Sequence, residues 1–440
     1  MRGRTSEQLS LGEGFIAPSL FELDEELTRV DELLSNREFV KPFEAVFSPT
    51  MGRPGTDVGV YLRMMYLKFR WGLSYEEVEA EVRERLTWRR FCHLSLIDRV
   101  PDATTLIKLN QRFGDDLVAQ LNKRLVKHLV KTKSIKPRKI RIDSTTLEAH
   151  ISYPTDLGLL HQTVKTLTRT ARSLGQKITS HVRATQKAVA RLGASLKSKS
   201  KKQKTQLQKT LRSVAALTQD TLHKSRQALA TLEKRKAMVS EKVKEQFEQQ
   251  IALAEQILEQ TQHKLDGVKS IPDRIVSFHD PEARVIRKGK LHKPNEFGRT
   301  LQIVQDASGI VLASEIHQGN PSDKTLIVPM VQRFKKVYRC APTELAADKG
   351  YYTPENLSDL QQLGVKRVGI AKIGRLKPHE RWKQKSRWFK RLQRFRCGIE
   401  AAVSMLKRCF SMGRILSRGS PATRIWVGFS ILSYNLWQMT

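Results

Sequence analysis

The segment Lys139-Ile-Arg-Ile-Asp143 alternates charged and aliphatic residues and ends in a carboxylate, a pattern that predicts a short β-strand. The segment Glu344-Leu-Ala-Ala-Asp348 is typical of a second, buried strand that also ends in an aspartate. Ligand sites of α/β proteins gather at the carboxyl ends of their strands. If these two strands are neighbours, we expect Asp143 and Asp348 to face one crevice.

A third acidic residue, Glu400, lies on a predicted helix near the C-terminus. Arg396, Glu400 and Lys407 are spaced four and then seven residues apart, which places them within about 40° of one another on a helix. A separate apolar stripe on this helix comprises Leu392, Phe395, Ile399, Val403, Leu406 and Phe410. A carboxylate flanked by two cations beside a core-facing stripe suits a metal ion held next to a phosphate. Intrahelical ion pairs on a solvated face are the alternative.

The surrounding segments predict a mixed sheet flanked by helices. Ala307-Ser308-Gly309 is a tight-turn sequence between two short β runs, which indicates a hairpin. The strand candidates are Arg274–Phe278, Thr300–Val304, Ile310–Ser314 and Lys366–Ile370, and the helix candidates are Asp323–Phe334 and Pro354–Leu363. The order of these elements favours the α/β class.

Residues 55–130 are predicted to be helical. Asp57–Trp71 is an apolar-rich helix, and Ser74-Tyr75-Glu76-Glu77 is a capping box that opens a second helix to about Leu94. Pro101-Asp102 provides an N-cap for a third helix through Phe113. Because this block is rich in arginine, we expect either a helix-turn-helix-like DNA-binding domain or a plain helical bundle.

Residues 161–270 form a basic insertion, with 23 Lys and Arg against 8 Asp and Glu. No proline occurs between 155 and 271, and Ala, Leu, Gln, Lys and Glu dominate. This composition predicts two or more long helices, with a break near Ser198–Lys202. A solvated arm and a DNA-clamping arm are both compatible with it.

The net charge of +35 on 440 residues indicates a polyanionic partner, with nucleic acid as the first candidate and a membrane surface as the rival. No apolar run is long enough to span a bilayer, and no secretory signal is apparent. The four cysteines show no paired metal spacing, so we expect buried or half-buried free thiols in a reducing cytosol. Basic residues also cluster in a loop at Lys288–Lys290 and, with aromatics, around Trp382, Trp388 and Phe389. The aromatic cluster suits either base stacking or helix packing.

Three carboxylates from Asp143, Asp348 and Glu400 would suit a hard divalent cation, Mg²⁺ first and Mn²⁺ as an alternative. Two such ions activate a hydroxyl and stabilise the leaving oxygen of a phosphodiester. Arg396 and Lys407 would then hold neighbouring phosphates, arginine by a fork of donors and lysine as a point charge.

On these residues the sequence resembles the bacterial DDE transposases of insertion-sequence type. Those enzymes carry a strand aspartate, an Asp-x-Gly-Phe/Tyr block and a helix reading Tyr-x2-Arg-x3-Glu-x6-Lys. The matches are Asp143, Asp348-Lys349-Gly350-Tyr351, Arg396, Glu400 and Lys407. The helix tyrosine is replaced by Gln393. Further matches lie at Gly52-Arg53-Pro54, Lys68 through Ser74 and Asp98 through Asp102.

The resemblance implies a ribonuclease-H-like catalytic domain that binds Mg²⁺ through Asp143, Asp348 and Glu400. It implies cleavage of DNA at transposon ends and strand transfer, by a homodimer or larger assembly in the bacterial cytoplasm at the nucleoid. The expected domains are 1–130 (helical, DNA-binding), 131–160 and 271–440 (the two catalytic parts) and 161–270 (the insertion). The expected DNA contacts are Arg396, Lys407, Gln393, Lys349, Arg387 and Lys390. A non-catalytic DNA-binding protein of the same fold and a nuclease without strand transfer are the alternatives.

Overall fold

The computed structural model describes residues 14–47, 55–195, 200–234, 240–268, 270–287 and 295–440. The predicted helix break at Ser198–Lys202, the basic loop at Lys288–Lys290 and the Gly52-Arg53-Pro54 motif fall wholly or partly outside these residues. The chain forms two compact units: unit 1 comprises 1–148, 300–317 and 321–440, and unit 2 comprises 149–299 and 318–320. The domain boundaries expected at 130, 160 and 270 stay a prediction.

Helices make up most of both units. In the described residues the α-helices are α1 (Glu25–Leu34), α2 (Arg37–Glu44), α3 (Val58–Trp71), α4 (Tyr75–Glu84), α5 (Leu86–Phe91), α6 (Ala103–Lys131), α7 (Asp156–Ser173), α8 (Val182–Ser195), α9 (Lys201–Lys234), α10 (Glu241–Leu265), α11 (Asp323–Tyr338), α12 (Pro354–Gln362), α13 (Pro378–Lys385), α14 (Arg387–Cys409) and α15 (Ser420–Trp437). None of these helices is long and apolar enough to cross a membrane.

A mixed seven-stranded sheet accompanies the helices. Its strands are β1 (Lys139–Ala149), β2 (Arg284–Arg287), β3 (Asn295–Asp306), β4 (Val311–His317), β5 (Glu344–Ala347), β6 (Arg367–Gly369) and β7 (Arg414–Ile415). The strand order is β2-β3-β1-β5-β6, with β4 paired to β3 and β7 paired to β1. β1, β5 and β6 are parallel, whereas β2, β3 and β4 are antiparallel. This sheet and its helices confirm the predicted α/β class.

The N-terminal helices follow their sequence signals closely at the start and less closely at the end. Asp57 caps α3 by accepting hydrogen bonds from two backbone N–H groups, and the Ser74–Glu77 capping box opens α4. The helix predicted to reach Leu94 instead breaks at Arg85, whose backbone is extended. The helix predicted to end at Phe113 does break there, because Gly114 has non-helical backbone angles, with φ 70° and ψ 179°, and a further helical stretch continues to Lys131. A glycine at positive φ is the local cause of this break.

The C-terminal helix α15 lies in the core of unit 1. Trp426, Phe429, Leu432 and Leu436 are all buried. Phe429 stacks on Phe69 of α3 with ring centroids 5.7 Å apart. This packing ties the last helix of the chain to the N-terminal helices within one apolar cluster.

The basic insertion folds into the four helices α7 to α10, which share an apolar cluster of their own in unit 2. The strand predicted at Arg274–Phe278 is absent. Instead, the Ile275 backbone exchanges two hydrogen bonds with the side-chain amide of Gln260 on α10, at 3.0 and 3.1 Å. That amide satisfies the backbone groups that a neighbouring strand would otherwise pair with.

Asp156 links the beginning and end of this insertion. Its carboxylate is 7% exposed and forms ion pairs with Lys264 and with Arg274, the latter at 2.5 Å. We expect Asp156→Ala to lower the free energy of unfolding by about 2 kcal/mol, because two partly buried cations lose their partner. Hydrogen exchange in the full chain checks this, with faster exchange expected in α7 and α10. The matched control is Asp266→Ala, an exposed hydrogen-bond acceptor on the same segment. Equal exchange in both variants would contradict the prediction.

Candidate functional site

Asp143 and Asp348 lie side by side on neighbouring parallel strands. The β1–β5 register pairs Ile142 with Ala347, so each aspartate follows the last shared pair of residues. β5 ends at Ala347, but β1 continues beyond Asp143 to Ala149, because it has other neighbours in the sheet. The prediction that Asp143 ends its strand is therefore wrong, although Asp143 does lie where the pairing with β5 ends. Adjacent strands bring such side chains to one edge of the sheet.

The Asp143 carboxyl is poorly solvated and has acidic neighbours. Burial raises its pKa to about 6, and the charges of Asp348 and Asp323 add to this rise. Two interactions oppose it: the Ser144 backbone N–H donates to Asp143 Oδ1 at 2.8 Å, and Arg396 lies nearby. Carboxylates whose charges raise the pKa of a neighbouring carboxyl are the electrostatic signature of a site that favours a cation.

Arg396 on α14 lies between two carboxylates. Its Nη1 is 3.9 Å from Asp348 Oδ1 and 3.2 Å from Glu400 Oε1. Its side chain is only 16% exposed, whereas those of Asp348 and Glu400 are 45% and 65% exposed. Partial burial lowers the pKa of Arg396, but the nearby Cys397, Asp348 and Glu400 outweigh it, so the net direction is upward. The guanidinium is thus held charged beside both acids.

Helix α14 is positioned by its apolar stripe, as the periodicity predicts. Leu392, Ile399, Leu406 and Phe410 are buried, and Arg396 and Glu400 lie on a more exposed side. Gly398 lets the helix approach β1, because a Cβ there would overlap Arg141 Nη1 and would lie 2.9 Å from Arg141 Cζ. Arg141 donates to the Phe395 carbonyl at 2.9 Å and to Gln305 Oε1 at 2.8 Å. Arg141 thus joins β1, which carries Asp143, to the helix that carries Glu400.

Asp323 is a fourth carboxylate that sequence reasoning did not single out. It is the first residue of α11, and its Oδ1 accepts a hydrogen bond of 2.7 Å from Ser144 Oγ. A Cβ at Gly350 would lie 3.3 Å from Asp323 Oδ2 and 3.8 Å from Asp348 Oδ2. In the sequence, Asp323 is marked by its position in the first turn of the helix that follows the β3–β4 hairpin. Acidic residues are common at helix N-termini, so this position does not point to a functional site.

The residues predicted to contact DNA are distributed along α14 and beside Asp348. Lys349, Arg387 and Lys390 are exposed, and Lys407 is half-buried. Gln393 Nε2 donates to the Gly369 carbonyl at 2.6 Å, so this side chain binds the end of β6. Their contacts with DNA stay predictions.

The aromatic and basic residues before α14 divide into two groups. Phe389 is buried and Trp388 half-buried, as helix packing requires. Trp382 is 77% exposed and lines a cleft of about 760 Å³ with Arg375, Arg381 and Lys385. The ring of Trp382 is therefore accessible for stacking on a base, whereas the buried ring of Phe389 is not.

The donor chemistry of the site fits a hard divalent cation, since its acidic groups are all carboxylates and two of them raise the pKa of Asp143. Among the described residues, however, no three His, Cys, Asp or Glu side chains are grouped so that they could hold a metal ion. Glu400 contacts Arg396. The assignment of Asp143, Asp348 and Glu400 as a ligand set stays a prediction.

Two family models match the chain. One, described as a transposase domain (DUF772), matches residues 18–112, and another, described as a transposase DDE domain, matches residues 273–436. The second match includes Asp348 and Glu400 and begins after Asp143. No curated protein and no solved structure matches the chain significantly. The mixed sheet and the second match together confirm the predicted ribonuclease-H-like fold with a helical N-terminal region.

Proposed function

Because the chain belongs to the DDE transposases of insertion-sequence type, we propose that it cleaves DNA at transposon ends and joins the freed 3′-hydroxyl to target DNA, with Mg²⁺ or Mn²⁺ as cofactor. The observation that carries this proposal is the β1–β5 register, which sets Asp143 beside Asp348. Phosphodiester chemistry needs closely placed carboxylates of this kind.

Asp143 and Asp348 hold the cation in this proposal, and Glu400 completes the set from α14. The bound cation supplies Lewis-acid stabilisation of the reacting phosphodiester oxygens. Asp143 must be ionised to bind it, and its pKa of about 6 leaves it largely ionised at neutral pH. The contact between Gly398 and Arg141 holds Glu400 at its distance from β1.

Arg396 and Lys407 position the DNA backbone. The Arg396 guanidinium has more N–H donors than its contacts with Asp348 and Glu400 use, and a phosphate suits the remaining ones. Gln393 has a second N–H besides the one bound to Gly369, and this is the group proposed to contact DNA. Lys349, Arg387 and Lys390 add phosphate contacts from exposed positions.

The partner is double-stranded DNA, both transposon ends and target, and the active form is a homodimer or larger assembly. The net charge of +35 supports a polyanionic partner. The N-terminal helices are proposed to bind the ends, and the basic insertion is proposed to clamp DNA. The place of action is the bacterial cytoplasm at the nucleoid.

A strand-transfer assay tests the proposal. The substrate is DNA with pre-cut 3′-hydroxyl ends, taken from the inverted repeats that flank the gene. We expect the wild-type chain to join these ends to plasmid DNA with Mg²⁺, and Glu400→Gln to join them about 100-fold to 1,000-fold more slowly, because one acidic ligand is lost. DNA affinity should be unchanged.

The matched control is Glu355→Gln, which removes a carboxylate from the first turn of α12. Metal-dependent nicking without joined product would favour the nuclease alternative. Salt-sensitive DNA binding without any nicking would favour the non-catalytic alternative. Joining at the wild-type rate by Glu400→Gln would remove Glu400 from the ligand set.

A further inference from the structure

We propose that Asp323 is a positioning residue that holds Asp143 in place through Ser144. The inference rests on the proposed function, since it assigns Asp323 to the site in which Asp143 binds the cation. Asp323 accepts a hydrogen bond of 2.7 Å from Ser144 Oγ, and the backbone N–H of the same Ser144 donates to Asp143 Oδ1 at 2.8 Å. One residue therefore connects the two carboxylates.

Ser144 links a strand to a helix that comes much later in the chain. It lies on β1, directly after Asp143, and Asp323 is the first residue of α11. The bond to Asp323 fixes the rotamer of Ser144 and restrains the strand backbone next to Asp143. A restraint of this kind matters because a ligand carboxylate has to be held within about 0.5 Å of its productive position.

The Asp323 side chain also lies close to the segment that follows Asp348. An added Cβ at Gly350 would lie 3.3 Å from Asp323 Oδ2 and 3.8 Å from Asp348 Oδ2. Gly350 follows Asp348 by two residues, in the turn Lys349–Tyr351. Asp323 thus lies against the segments that carry both proposed ligands, Asp143 through Ser144 and Asp348 across Gly350.

Buried groups enclose this connection. Tyr351 and Gln302 are fully buried, and the Tyr351 ring lies near enough to Asp323 and Asp143 for both charges to add to the rise in its hydroxyl pKa that burial causes. A packed, low-dielectric surrounding strengthens a hydrogen bond to a carboxylate. We therefore assign the Ser144–Asp323 bond to positioning, since hydrogen-bond partners behind a metal ligand fix the orientation of that ligand.

The test measures Mn²⁺ affinity of the full chain by electron paramagnetic resonance, together with cleavage of end DNA. We expect Asp323→Ala and Ser144→Ala each to weaken Mn²⁺ binding roughly tenfold to a hundredfold. The double variant should be no weaker than either single one, because both changes break the same bond. Asp323→Asn keeps an oxygen acceptor for Ser144 Oγ and should restore most of the affinity.

Glu355→Gln, in the first turn of α12, serves as the control for loss of a helix-N-terminal carboxylate and should bind Mn²⁺ like the wild type. Wild-type affinity in Asp323→Ala, or additive losses in the double variant, would overturn the inference. An Asp323→Asn variant as weak as Asp323→Ala would also overturn it, because the charge and not the bond would then matter. A wild-type chain that binds no Mn²⁺ would overturn the proposed function itself.

Discussion

Replacing Asp143 by asparagine is expected to reduce DNA cleavage by about 1,000-fold and to leave DNA binding unchanged. The side chain keeps its size but loses the charge that a divalent cation needs, and that loss costs several kcal/mol of transition-state stabilisation. Cleavage of labelled end DNA and a gel-shift titration measure the two properties. Normal cleavage by Asp143→Asn would refute the assignment of the site.

The same variant should be more stable than the wild type near neutral pH in the presence of EDTA. The folded-state pKa of Asp143 is raised from 3.8 to about 6, so between these values the folded chain keeps a proton that the unfolded chain has lost. Wild-type stability therefore falls as pH rises through this range, by about 3 kcal/mol. The asparagine side chain of the variant does not titrate in this range and so avoids the fall.

Thermal denaturation from pH 4 to pH 8 checks the stability difference between the two proteins. It should be smallest near pH 4 and should reach its full size above pH 6. Glu355→Gln, which changes an exposed carboxylate on α12, should show no such pH-dependent gain. A difference that does not vary with pH would contradict the electrostatic account of Asp143.

Gly398→Ala is expected to lower the free energy of unfolding by about 1 kcal/mol and to slow end cleavage by about 100-fold. Alanine is favoured over glycine in a helix by about 1 kcal/mol, which alone would stabilise the variant. The added Cβ, however, would overlap Arg141 Nη1 and would lie 2.9 Å from Arg141 Cζ. Overpacking of this kind costs about 1–3 kcal/mol, so the clash outweighs the helix preference.

The activity loss follows from the place of Gly398 on α14, midway between Arg396 and Glu400. Arg141 cannot move aside without breaking its bonds to Gln305 and to the Phe395 carbonyl. We therefore expect the helix to shift in part, and a displacement of about 1 Å at a reacting centre costs about 100-fold in rate. Chemical denaturation and cleavage rates measure the two effects.

Ser404→Ala is the matched control, because Ser404 lies on the same helix and its hydroxyl accepts hydrogen bonds from the exposed Arg408. It should retain both stability and activity. A Gly398→Ala variant that is more stable than the wild type and fully active would show that α14 does not need its close approach to β1.

The sequence predicted those parts of the fold that depend on local patterns. Three features formed at the residues whose local pattern predicted them: the apolar stripe of α14, the capping box at Ser74 and the β3–β4 hairpin. Periodicity and capping act between residues a few positions apart, so they can be read without tertiary structure. The four cysteines are free thiols, but Cys340 and Cys397 are exposed, so the expectation that all four are buried or half-buried is wrong.

Predictions failed where a distant residue satisfied the backbone. Ile275 binds the Gln260 amide instead of a strand, and β1 extends past Asp143 because its other edge has partners. In both cases a hydrogen-bond partner outside the local pattern decided the outcome. No local signal in the sequence distinguishes these partners.

The sequence by itself determined the secondary structure around the site, the charge of the chain and the identity of Asp143, Asp348 and Glu400 as candidates. Only the tertiary structure decided that Ile142 pairs with Ala347, that Asp323 binds Ser144 and that Gly398 accommodates Arg141. The residues of these pairs are separated by more than 170 positions in the chain. Their contacts arise from strand register and packing of the shared core, which depend on the burial of many residues together and not on any local pattern.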